Sequence, residues 1–128
     1  MPFPKKAKPD FVPRVLSIAG TDPTGGAGLH ADLKSIAAAG GYGMGVVTAL
    51  VSQNTVGVRA VHTPPVDFLV EQLAAVTEDV TIDAVKIGML GSRELTQAVT
   101  NWVRETKPAV VVLLSLIHIS DPTRRSAR

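Results

Sequence analysis

The chain has 128 residues, 45% of them hydrophobic, and no cysteine. It is therefore one domain or a piece of one, with enough apolar side chains for a core and with neither a disulfide framework nor a thiolate metal site. Aromatic residues make up only 4%, so that core is built of Val, Leu, Ile and Ala. The net charge of +2 resides in the ends: 1–13 and 115–128 each carry +2, while 14–114, with seven bases and nine acids, carries −2. That distribution argues against a folded basic surface for nucleic acid. No apolar run is long enough for a transmembrane helix and no signal-peptide core opens the chain, so the expected location is the cytoplasm, away from membranes.

Residues 1–13 hold four prolines and three lysines and read as a disordered leader. The nearly all-apolar run 15–19 predicts a buried strand. Gly20-Thr21-Asp22-Pro23-Thr24-Gly25-Gly26-Ala27-Gly28 follows, and then an amphipathic stretch, 29–39, that predicts a helix ended by Gly40-Gly41. A glycine-rich turn between strand and helix lets the backbone approach a ligand, and the helix start offers free N–H groups to an anion. The run is neither a phosphate-binding P-loop nor the dinucleotide pattern, since no Gly-Lys-Ser/Thr closes it and its glycines do not fall as G-x-G-x-x-G.

Further along, 46–51 predicts a second buried strand, and 57–62 a short one that continues the sheet or folds over an edge. Pro65 opens a helix over 66–77, and 84–87 is a third core strand. Ser92 is placed to N-cap a helix that runs to Thr106, where Pro108 blocks continuation. The apolar run 109–114 predicts a last, exposed edge strand, an aggregation hazard if uncovered. Strands alternating with helices predict an α/β fold with a parallel sheet.

Three strings, in order, carry a family resemblance: residues 19–34 around the glycine run, Val47-Thr48-Ala49-Leu50-Val51-Ser52-Gln53-Asn54-Thr55, and Val85-Lys86-Ile87-Gly88-Met89-Leu90. Over 14–113 the chain resembles the N-terminal part of the hydroxymethylpyrimidine/phosphomethylpyrimidine kinases of the ribokinase-like superfamily. The resemblance implies a Rossmann-like three-layer sandwich with a mostly parallel sheet. It also implies ATP- and Mg²⁺-dependent phosphorylation of 4-amino-5-hydroxymethyl-2-methylpyrimidine and then of its monophosphate, in thiamine biosynthesis. A homodimer of the full-length form is left open. The family's Gly-Thr-Gly-Cys and Asn-x-x-Glu type motifs, which form the anion hole with the base and help place Mg²⁺, do not occur here. No catalytic residue and no metal ligand is therefore assigned, and this chain is expected to be a non-catalytic fragment. The alternatives are a pyridoxal kinase-like enzyme, a pyrimidine-binding module without turnover, and a Rossmann-like nucleotide binder whose fingerprints are missing.

The resemblance assigns pyrimidine binding to Gln53, Asp32, Met89, Gly20, Ala27, Gly28 and Val51. An amide at Gln53 offers the donor and acceptor that an aminopyrimidine edge needs; the plain alternative is a polar turn residue. Asp32 accepts from an exocyclic amine, or else simply favours the helix dipole. Met89 packs on the ring face or is an ordinary core residue, and Val51 is a wall with the same ambiguity. Gly20, Ala27 and Gly28 bring backbone to the ligand, or are turn and packing positions. Lys86 faces an acid or a phosphate. His30 and His62 read as surface residues, and no His/Asp/Glu set has metal-ligand spacing. The segment 115–128, with His118, departs from the family and resembles translated adapter or assembly sequence. We expect it to be non-native; a genuine stop codon directly after Arg128 in the resequenced locus would contradict this.

Overall fold

A computed structural model describes residues 10–114 of the chain. Residues 1–9 of the leader expected over 1–13, and the tail 115–128, lie outside the described residues. The elements are β1 (Arg14–Ala19), α1 (Gly28–Ala38), β2 (Tyr42–Val47), β3 (Leu50–Gln53), β4 (Val58–His62), α2 (Val66–Asp79), β5 (Ala84–Ile87), α3 (Arg93–Thr106) and β6 (Val110–Leu113). Four strands form a parallel sheet in the order β2-β1-β5-β6. β3 and β4 make a separate antiparallel pair. The architecture is the expected α/β type.

Side chains of a strand alternate between its faces. Leu16 and Ile18 of β1 therefore point one way, with Val46, Val85 and Ile87, and meet Leu69 and Leu73 of α2 and Leu95, Val99 and Trp102 of α3. The Trp102 indole N–H donates to the Thr77 hydroxyl at 3.0 Å, so the two helices are tied by a polar contact within an apolar layer. The Ser92 hydroxyl accepts from Leu95 N–H at 3.1 Å, as its place before the helix predicts. α3 ends on Lys107 in the left-handed region, φ 48°, one residue before Pro108.

The opposite face of β1 and β2 carries α1, and here the sequence reading needs correction. The strand predicted over 46–51 is two strands in two sheets. β2 begins earlier, at Tyr42, and runs through Gly43 and Gly45, residues that lower strand propensity. Their bareness is what seats α1: a Cβ at Gly43 would stand 3.0 Å from Leu33 Cδ2, and one at Gly45 would run into Leu29. α1 ends as predicted. Gly40, at φ +90°, donates to Ala37 O and Gly41 to Ile36 O, at 3.0 and 2.9 Å, a Schellman closure.

After Val47 the chain leaves the parallel sheet. Gln72 of α2 accepts from Val47 N–H at 2.9 Å and donates to Val47 O at 3.0 Å. Its amide thus takes the place of a neighbouring strand at the outer side of β2. The segment predicted at 57–62 pairs with β3 and does not extend the main sheet. At the other edge all four residues of β6 are exposed, between 42% and 64%, as expected of an uncovered edge strand.

Candidate functional site

The C-terminal ends of parallel strands, where a loop leads into a helix, are where α/β sheets bind ligands. At that edge three segments are laced together. Thr21 N–H donates to Ala49 O at 3.0 Å, Thr48 N–H to Ala19 O at 3.0 Å, and Gly88 N–H to Ile18 O at 2.8 Å. The Thr21 hydroxyl accepts from Val51 N–H at 2.9 Å. Thr48, almost fully buried, donates its hydroxyl to Met89 O at 3.4 Å.

The glycine loop closes on itself. Leu29 N–H donates to Gly20 O at 2.8 Å. Gly28 sits at φ +57°, and a side chain there would run into the same carbonyl. Only glycine tolerates both conditions. Asp22 is 3% exposed and fills the centre of the loop. Its Oδ1 accepts from the Thr24 N–H and hydroxyl at 3.0 and 2.9 Å, and its Oδ2 from Gly26 and Ala27 N–H, both at 2.9 Å. Burial pushes its carboxyl up. Hydrogen bonds from the Thr24 hydroxyl and from the Thr24, Ala27 and Gly26 amides outweigh that and hold it below the usual 3.8. The protein's own carboxylate thus occupies the Thr24, Gly26 and Ala27 amides, which precede α1. Sequence reasoning assigned Asp22 no role; an Asp two residues before Thr and followed by paired glycines is the signal for such a turn. His30, exposed as predicted, accepts Asp22 N–H on Nδ1 at 3.2 Å.

Of the residues singled out, Gly20 lies against Val51: a methyl added to Gly20 would stand 3.8 Å from Val51 Cγ2. Ala27 is the residue before α1 and gives its N–H to Asp22. Gln53 ends β3 at a register shift opposite Val58, half-exposed, with no partner for its amide among the described residues. Met89 is 67% exposed, so it is not a core methionine here. Asp32, in α1, turns one oxygen toward the sheet. Oδ2 accepts from the Ser17 hydroxyl at 2.7 Å and from Lys86 Nζ at 2.6 Å. The partner of Lys86 is therefore an acid. A cavity of about 620 Å³ opens between the loop and the β3–β4 hairpin, lined by Thr21, Pro23, His30, Val51, Val61 and His62, among others. Val51 alone of the assigned residues lines it, so this outer cavity and the assigned set are different places. Among the described residues no three His, Cys, Asp or Glu gather to hold a metal, and no helix is long and apolar enough to cross a membrane.

The family model of phosphomethylpyrimidine kinase matches residues 22–120. The chain belongs to this family. It is 64% identical over 108 residues to the thiamine biosynthesis multifunctional protein ThiED of Corynebacterium efficiens, covering 84% of this chain and 14% of that protein. It is 50% identical over 109 residues to the hydroxymethylpyrimidine/phosphomethylpyrimidine kinase of Escherichia coli, covering 84% and 41%. The crystal structure of phosphomethylpyrimidine kinase from Clostridium difficile superposes with a TM-score of 0.76 at 42% identity, over 79% of this chain and 44% of that one. Pyridoxal kinase from Staphylococcus aureus, solved in complex with AMP-PCP and pyridoxal, shares the fold at 32% identity and a TM-score of 0.72, over 80% and 39%. The chain thus spans less than half the length of each of these relatives.

Proposed function

We propose that this chain forms the pyrimidine-binding part of a kinase that phosphorylates 4-amino-5-hydroxymethyl-2-methylpyrimidine and then its monophosphate, in thiamine biosynthesis in the cytoplasm. The observation that carries this reading is Gln53. It ends β3, two residues after Val51, whose N–H is bonded to Thr21 of the glycine loop, and its amide has no partner among the described residues. An amide so placed offers one donor and one acceptor to the N/NH₂ edge of an aminopyrimidine. Asp32 keeps Oδ1 unbonded among the described residues and accepts the exocyclic amine. Met89 covers a ring face, Val51 walls the ring, and Gly20, Ala27 and Gly28 let the backbone approach it.

ATP and Mg²⁺ belong to the full-length form. Phosphoryl transfer needs an anion hole, a metal and a base, and the residues present here supply none of them. In the glycine loop the Thr24, Gly26 and Ala27 amides are already taken by Asp22. The test is calorimetric titration of the full chain with the hydroxymethylpyrimidine, beside an ATP-turnover assay. Saturable binding without turnover is expected, and Gln53→Ala should weaken it about tenfold or more. Likeness to the pyridoxal kinases supports a second reading, and tighter binding of pyridoxal than of the pyrimidine would favour it.

A further inference from the structure

Ser17, Asp32 and Lys86 come from three elements and meet at one oxygen. Ser17 on β1 and Lys86 on β5 are register partners, so their side chains stand side by side on the face that carries α1. Asp32 descends on them from that helix. Both donors go to Oδ2, at 2.7 and 2.6 Å, and no described residue donates to Oδ1. Ser17 is fully buried; the Asp32 and Lys86 side chains are each 21% exposed.

A pair of this kind is a poor device for holding a helix on a sheet. Desolvation offsets much of the attraction, and apolar residues of like size commonly hold an interface as well. What the pair does supply is direction. Two donors on one carboxylate oxygen fix the rotation of the group and leave the other oxygen without a donor among the described residues. Lys86 is itself confined, since a Cβ at Gly88 would lie only 3.2 Å from its Nζ.

We infer that Ser17 and Lys86 are positioning residues that clamp Oδ2 of Asp32 so that Oδ1 receives the exocyclic amine of the pyrimidine. The inference rests on the reading of Asp32 as a pyrimidine contact. Its consequence is specificity for an amino group, not general affinity.

The test titrates the full chain and its Lys86→Met, Ser17→Ala and Asp32→Asn variants with two ligands, the aminopyrimidine and the same pyrimidine lacking the amine. The wild type should prefer the amino ligand about tenfold or more, and the clamp variants should bring that ratio to within about threefold of unity while binding the other ligand unchanged. Equal losses for both ligands would reduce the clamp to a structural role and overturn the inference. So would an unchanged ratio in Lys86→Met and Ser17→Ala while Asp32→Asn abolishes it. A ratio unchanged in Asp32→Asn overturns the reading of Asp32 itself, and the clamp with it. Circular dichroism checks folding; Ser17→Ala, which removes a single oxygen, carries the test alone if Lys86→Met does not fold.

Discussion

The glycine loop and the β3–β4 hairpin both flank the candidate site, yet they are held in different ways. The loop is closed by its own bonds, four donors on Asp22 and the Leu29–Gly20 bond, and by Gly28, where a left-handed φ and the Gly20 carbonyl together exclude a side chain. The hairpin shows its apolar side chains to solvent, with Val56 at 94%, Val58 at 61% and Val61 at 59% exposure, and is moored to the loop through Thr21. A segment with few buried contacts opens at low cost, whereas one bonded throughout to a buried carboxylate resists opening. On the proposed function the loop is the preformed wall of the site, and the hairpin, with Gln53 at the end of β3, is the part we expect a ligand to order.

Breaking the loop should have the largest effect. Gly28→Val combines a left-handed φ with a clash against the Gly20 carbonyl, so more than about 2 kcal/mol and roughly 10 °C in melting temperature should be lost. Pyrimidine binding should vanish with it. Asp22→Asn comes next. It turns an NH₂ donor on the Gly26 and Ala27 amides or on Thr24, and binding should weaken about tenfold while those amides exchange faster. A smaller effect follows from acid. Asp22 is held below 3.8, and so is Asp83 by hydrogen bonds from the Arg14 side chain and backbone. The unfolded chain takes up these protons first, so the stability they contribute is complete above 3.8 and is lost as pH falls through their lowered values. Melting temperature measured across that range should fall, and Asp22→Asn should flatten the fall. The smallest effect is on the hairpin: Val61→Thr should change stability by no more than about 0.5 kcal/mol. A large loss there would erase the contrast with the loop.

Much of this was legible in the sequence because apolar runs and end signals agree. Ser92, Pro65 and Pro108 mark helix boundaries, and 15–19, 84–87 and 109–114 are unmistakable strands. β2 was hidden because Gly43 and Gly45 look like loop residues until α1 is laid over them. The apolar run 46–51 gave no sign of passing from one sheet to another, since the turn at Thr48-Ala49 depends on Gln72, which lies far along the chain. At the site, resemblance pointed to Gln53, Asp32 and Met89, but which acid Lys86 meets is set by the register of β1 against β5. Local spacing likewise does not reveal that Asp22 folds back onto Gly26 and Ala27.

Calorimetric titration of the full chain with 4-amino-5-hydroxymethyl-2-methylpyrimidine, with folding verified by circular dichroism in the same sample, tests the central claim most directly. Saturable one-to-one binding, weakened about tenfold or more by Gln53→Ala and by Asp32→Asn, is the predicted result. A folded chain that releases no heat of binding, or that binds equally well without both side chains, would contradict it.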